Sequence, residues 1–289
     1  MKRGFRVLAF AAAAALALLA VPASAGENQQ SSYLALGDSY AFGFNPTVSL
    51  TGRQNPANFP GYSDAVASAL HLHLTNAACP GETSGSLISV TVADNGCQAW
   101  RAHFPLHVSY TGAQLNYAVK FLRTHHHVDL VTLQIGGNDV LILLTVCHGN
   151  TTCILSGLPA VEAQMAANLN TIYSAIRQKG HYHGTIVAVP YFAFNYNDPS
   201  MVAITSSLDG VVAAVAASYH ARVADAFGAF LAASAPSGIP CLAGLQVPTP
   251  SDPTSPCDIH PSAAGHAVFA KAILAVLADD NNDNNDHNN

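Results

Sequence analysis

Tyr33-Leu34-Ala35-Leu36-Gly37-Asp38-Ser39-Tyr40 decides how this chain is read. Its first four residues form a short apolar run of strand character, and Gly-Asp-Ser is the composition of a strand-ending turn. A serine delivered at the end of a buried strand is a candidate nucleophile. The tetrapeptide from Gly37 to Tyr40 is also what an ordinary turn looks like, so its weight depends on what the rest of the chain places beside it.

Outward from this stretch, apolar runs of strand length fall at 33–37, 73–77, 129–135, 185–190 and 221–226. Between and after them, 62–70, 112–124, 158–179, 201–219 and 262–277 have the length and content of helices. Alternation of this kind buries both faces of a parallel sheet and predicts a three-layer α/β/α sandwich with a central parallel sheet. The near-continuous apolar run from Val128 to Ile135 agrees with a strand covered on both faces. In such sheets ligands bind beyond the carboxyl ends of the strands.

Polar motifs follow the first three strands at that edge. Ser39 follows the first strand, Asn76-Ala77-Ala78-Cys79-Pro80-Gly81-Glu82-Thr83 the second, and Gly136-Gly137-Asn138-Asp139 the third. A fourth motif, Asp258-Ile259-His260-Pro261, ends a long loop before the last helix, with Pro261 suited to the first helical turn. A serine hydroxyl needs a neighbouring base, which His260 supplies. Attack on an ester carbonyl puts negative charge on oxygen, and the Ser39 N–H, the Gly81 N–H and the Asn138 amide suit it.

With its four blocks in order, the chain resembles the GDSL hydrolases, also called the SGNH family after Ser, Gly, Asn and His. The resemblance runs from Tyr33 to about Leu277. It implies a flavodoxin-like α/β/α hydrolase that cleaves carboxylic esters through an acyl-enzyme without a cofactor or metal. By position it makes Ser39 the nucleophile, His260 the general base and acid, and Ser39, Gly81 and Asn138 the oxyanion donors. The family's usual last block has Asp three residues before His, whereas here Cys257 holds that place and Asp258 stands two before His260. Either Asp258 or a backbone carbonyl orients the imidazole. An esterase or lipase is the leading function, with a carbohydrate deacetylase of the same fold and a non-catalytic secreted binding module as alternatives.

Residues 1–25 read as a secretory signal, with Lys2, Arg3 and Arg6 before an apolar run and Ala23-Ser24-Ala25 as the cleavage site. No later stretch reaches about 18 unbroken apolar residues, so an integral membrane span is not expected. Residues 26–278 then form one hydrolase domain. The Asn/Asp-rich stretch 279–289 offers nothing apolar to bury and is expected to be disordered. Only 10% of residues are charged and the formal net charge is −6. With no basic cluster, nucleic acid is excluded as a partner; a small-molecule or lipid ester and a monomeric state are expected. Weak charge also predicts a stability that varies little with pH.

Six cysteines in an exported chain favour disulfides. They fall in three local groups, which predicts Cys79 with Cys97, Cys147 with Cys153, and Cys241 with Cys257. A loop of about 15 residues closed this way contributes on the order of 3 kcal/mol.

Other tempting residues have plainer readings. Asp38 supports the turn, Asp139 caps a helix or loop, Glu82 is an exposed loop residue, and His266 packs within the last helix. The run His125-His126-His127 is a polar helix-to-strand turn rather than a metal site. Tyr40, Phe42, Phe44 and Phe59 line an acyl pocket or fill core. The long segments 79–110 and 227–257 are the loops most able to shape a substrate site.

Overall fold

The computed structural model describes Met1, residues 31–249 and residues 256–286, with side chains through residue 278. Apart from Met1, the leader expected at 1–25 lies outside the described residues.

Strand β1 (Ser32–Gly37) pairs on both sides in parallel, with β2 (His73–Asn76) and with β3 (Val128–Gln134). Beyond β3 follow β4 (Thr185–Ala188) and β5 (Arg222–Val223), giving the order β2-β1-β3-β4-β5. Neighbours on both edges and layers on both faces explain why Tyr33 to Leu36 are fully buried and read as an unbroken apolar run. The last strand is shorter than the expected 221–226. Asp225 leaves the sheet to cap α9 (Ala226–Ala233), its Oδ1 accepting the Gly228 N–H at 2.8 Å.

Helices α5 (Gln114–Thr124), α7 (Thr151–Ser174) and α8 (Pro199–Ser218) cover one face of the sheet. Helices α2 (Tyr62–Leu70) and α10 (Ala263–Asp286) cover the other, with α9 against α10. The arrangement is the three-layer α/β/α sandwich expected. By length and composition alone α8 is apolar enough to cross a membrane. In the fold it packs on α7, β4 and β5, burying Leu208, Val212, Val215 and Ala216, as a layer helix does.

Helix α7 starts ahead of the expected 158 because the Asn150 side chain caps it, accepting the Cys153 N–H at 3.0 Å. The segment read as loop after β2 holds two short helices, α3 (Ser84–Ile88) and α4 (Cys97–His103). Helix α10 runs through Asp286, so helix continues into the stretch expected to be disordered. Asn and Asp are weak helix formers, and here they extend a helix already nucleated by its Ala-rich body.

All three predicted disulfides form, with Cα–Cα separations of 5.5 Å for Cys79–Cys97, 5.6 Å for Cys147–Cys153 and 5.8 Å for Cys241–Cys257. The histidine run turns α5 into β3: His125 stacks on Phe121 at 3.9 Å between ring centroids.

Candidate active site

The turn after β1 needs glycine. At Gly37, with φ +142°, a Cβ would stand 2.1 Å from the Gln134 carbonyl oxygen, so the chain passes β3 at a distance only glycine allows. Asp38 then caps the four-residue helix α1 (Ser39–Phe42), its Oδ1 accepting the Tyr40 N–H at 2.9 Å. The other oxygen accepts the Tyr191 hydroxyl at 2.5 Å. Asp38 is therefore committed to the turn, and Ser39 is the residue that the turn presents.

His260 reaches Ser39 from the far end of the chain. The segment expected to be loop is strand β7 (Cys257–Pro261), antiparallel to β6 (Gln246–Pro248). Pro261 ends this strand and does not enter the last helix, which begins at Ala263; at a strand end the missing N–H is tolerated. The strand also accounts for the spacing of Asp and His. Residues two apart on a strand share a face, so Asp258 lies beside His260 where a turn would need a different offset. Ile259, between them, turns its carbonyl to the Tyr40 hydroxyl at 2.5 Å.

The three side chains lie in contact in a row. His260 Nε2 lies 2.9 Å from Ser39 Oγ, and His260 Nδ1 is in contact with Asp258 Oδ1. An ionised carboxylate only accepts, so Nδ1 carries the proton and Nε2 is left to accept from the serine. Burial acts against the Asp258 charge, but the hydrogen bond and charge of His260 outweigh it and hold the carboxyl below its ordinary range. The imidazole is further fixed by edge contacts with Phe44 and Tyr40, at centroid distances of 4.7 and 5.7 Å.

Asn138 opens the second turn, just inside α6 (Gly137–Val146). One hydrogen of its Nδ2 goes to the Glu82 carbonyl at 2.9 Å, and its Oδ1 accepts from Asn95 Nδ2 at 2.8 Å. The amide is thereby oriented with its second N–H still available. Asn95 also donates its backbone N–H to the Gly81 carbonyl at 2.7 Å, so one residue ties Gly81 to Asn138. Gly81 sits at φ +82°, where a Cβ would be 2.4 Å from the Asn95 carbonyl oxygen. Among the described residues, the backbone N–H groups of Ser39 and Gly81 meet no protein acceptor.

Sequence reasoning missed Asn95 and Gln114. Buried Gln114 accepts the Gly37 N–H at 2.7 Å and donates to the Gly37 carbonyl at 2.9 Å and to Glu82 Oε2 at 3.2 Å. It joins the end of β1 to the Gly81 loop. Glu82 is not the exposed residue expected: it is 3% exposed and also accepts the Ser86 hydroxyl at 2.5 Å. Asp139 lies in the first turn of α6 and ties it to the start of α3, accepting Ser84 N and Ser84 Oγ at 2.9 and 2.6 Å. Cys79, Glu82 and Cys97 also cluster, but the two sulfurs are joined to each other and offer no thiolate to a metal.

Buried acids with no cation in hydrogen-bond contact among the described residues run against the expectation that stability is insensitive to pH. Burial pushes the carboxyls of Asp38, Glu82 and Asp209 up to about 7. Such groups stabilise the fold fully below their unfolded pKa of about 4, and that contribution is lost as pH rises through the folded value. His266, buried against Tyr62, acts oppositely: burial lowers it to about 4, so its contribution is lost as pH falls from about 6.5. We expect the melting temperature to rise when the pH is lowered from about 8.5 to about 7, above the unfolded imidazole value, where the carboxyls held near 7 begin to take up protons in the fold. A flat or falling melting temperature across that interval overturns this assignment.

Beside Ser39 opens a cavity of about 360 Å³, lined by α6, α7 and α8 rather than by the long loops 79–110 and 227–257. Of the four sequence-adjacent aromatics only Tyr40 lines it; Phe42, Phe44 and Phe59 pack around Trp100 instead.

The sequence model of the GDSL-like lipase/acylhydrolase family matches residues 35–268. Among solved structures the chain is similar to phospholipase A1 from Streptomyces albidoflavus NA297, with 20% identity, 86% of this chain and 99% of that one covered, and a TM-score of 0.60. It is similar to an extracellular lipase from Streptomyces rimosus, with 20% identity, 85% and 99% coverage and a TM-score of 0.58. An acetylxylan esterase from Geobacillus stearothermophilus follows at 17% identity, 85% and 93% coverage and a TM-score of 0.51. At these identities the likeness is one of fold. No curated protein matches the chain significantly. The matched span contains Ser39, Gly81, Asn138 and His260, and the chain belongs to the GDSL-like lipase/acylhydrolase family.

Proposed function

We propose that the protein is a secreted serine ester hydrolase that works through an acyl-enzyme. The observation that carries this reading is the run of contacts from Ser39 Oγ to His260 to Asp258, assembled from opposite ends of the chain. In this reading His260 takes the Ser39 proton as Oγ attacks the carbonyl carbon, and Asp258 holds the imidazolium that forms. The Ser39 and Gly81 N–H groups and the free Asn138 N–H receive the oxyanion. His260 then gives the proton to the leaving alcohol; water, deprotonated by the same imidazole, releases the acid and restores Ser39.

The strand order 2-1-3-4-5 supports the flavodoxin-like form of the fold. Export through the leader is supported by three disulfides, which persist in oxidising compartments. The test is covalent labelling of the full chain with a fluorophosphonate, followed by peptide mass spectrometry. One adduct on the peptide bearing Ser39, competed by an ester substrate, is expected. An unlabelled Ser39 in protein that hydrolyses no ester overturns the catalytic reading in favour of a binding module.

A further inference from the structure

The cavity beside Ser39 has apolar walls, among them Val140, Leu141, Leu144, Ile154, Ile204 and Leu208. The polar side chains on the wall are mostly committed. Both oxygens of Asp38 are engaged by Tyr40 and Tyr191. Asp198 caps α8 through Oδ1, which accepts the Ser200 and Met201 N–H groups at 2.9 and 3.3 Å. Among the described residues this leaves few side-chain groups to receive a ligand's hydroxyls, namely Asp198 Oδ2 and the Ser200 and Thr205 hydroxyls, beside the Asn138 N–H and Ser39 hydroxyl at the reacting end. A sugar buried here would lose hydrogen bonds to water without replacing them, whereas a hydrocarbon chain loses none.

Which half of an ester enters follows from the proton donor. The alcohol leaves by taking a proton from His260, and His260 does not line the cavity, whereas Ser39 and Asn138 do. The half that extends past Asn138 is therefore the acyl half. The outer wall has its own support. Gly149 and Ile154 line the cavity at the corner between α6 and α7, and the Cys147–Cys153 disulfide ties that corner closed. At roughly 30 Å³ for a methylene, taken as water-sized, the volume accepts about a dozen carbons.

On the reading of Ser39 as nucleophile, we propose that this cavity is an acyl site for linear chains of medium length, about 8–12 carbons, and that the Cys147–Cys153 strap shapes its outer wall. The alcohol side stays outside it, toward His260.

Chain-length preference is tested with p-nitrophenyl acetate, decanoate and palmitate. The decanoate-to-acetate ratio of kcat/KM is expected to reach about a hundredfold or more, since each methylene leaving water contributes about fourfold. Ile204→Trp, at a half-buried rim position, and the paired Cys147→Ser/Cys153→Ser change each lower that ratio at least about tenfold, chiefly through KM. A native ratio near one, or a ratio unmoved by both variants, overturns the proposal while leaving the serine hydrolase intact. Faster turnover of decyl acetate than of ethyl decanoate assigns the cavity to the alcohol and overturns it as well, as does a preference for acetylated xylose oligomers. Titration calorimetry of decanoate against the full chain reads the site without turnover. Decanoate binding that acetate does not reproduce, weakened by Ile204→Trp, supports the acyl site; no binding overturns it even if no ester is hydrolysed.

Discussion

Ser39→Ala is expected to lower kcat/KM for p-nitrophenyl ester hydrolysis by about 10⁴- to 10⁶-fold, with the melting temperature little changed. The hydroxyl removed is one atom at a turn whose shape is set elsewhere, by the Gly37 approach to β3 and the Asp38 cap. His260→Ala should cost about as much, and the double variant little more than either, because nucleophile and base act as one unit. Asp258→Ala separates two explanations of how the imidazole is held. The carboxylate meets Nδ1 and also accepts the His260 N–H at 3.0 Å, so it fixes both tautomer and strand. A loss of about 10²- to 10⁴-fold is expected, smaller than for the other two. Near-native activity in Asp258→Ala would hand the orienting role to a backbone carbonyl, and activity retained in Ser39→Ala would remove the serine mechanism.

Strands and long helices were legible in the sequence because burial on two faces writes itself as unbroken apolar runs, as in Tyr33 to Leu36. Ser39 and Asn138 stood out because each follows a strand end and carries a residue type with chemistry, whereas His260, inside β7, stood out by residue type alone. The disulfides were legible because each pair is local. What the sequence hid depends on partners far away in the chain. Glu82 looks like a surface residue until Gln114 and Ser86 close over it. Asp258 looks misplaced until Gln246–Pro248 pairs with its segment and makes it a strand, on which two residues apart is the spacing that brings a carboxylate to an imidazole. The cavity comes from three helices whose apolar residues are spaced as any core face would be, so nothing in the pattern set Ile204 or Leu141 apart from packing residues.

Asn138→Ala is the second large effect, a loss of about 10²- to 10³-fold in kcat with KM little changed, measured on the same esters. The amide N–H is needed only when charge gathers on the carbonyl oxygen, so its removal reaches the transition state and spares ground-state binding. A rise in KM with kcat preserved would instead make Asn138 a substrate-binding group. Asn95 supplies a sharper form of the same argument. It touches Asn138 through its side chain and Gly81 through its backbone, and it does not line the cavity. Asn95→Ala keeps the backbone bond to Gly81 and removes only the contact that fixes which way the Asn138 amide faces. The amide can then rotate, and its donor is correctly aimed for part of the time. The expected loss is about tenfold in kcat, well short of Asn138→Ala. If Asn138 and Asn95 act on one donor, the double variant is no slower than Asn138→Ala alone; additive losses would place Asn95 in a separate role.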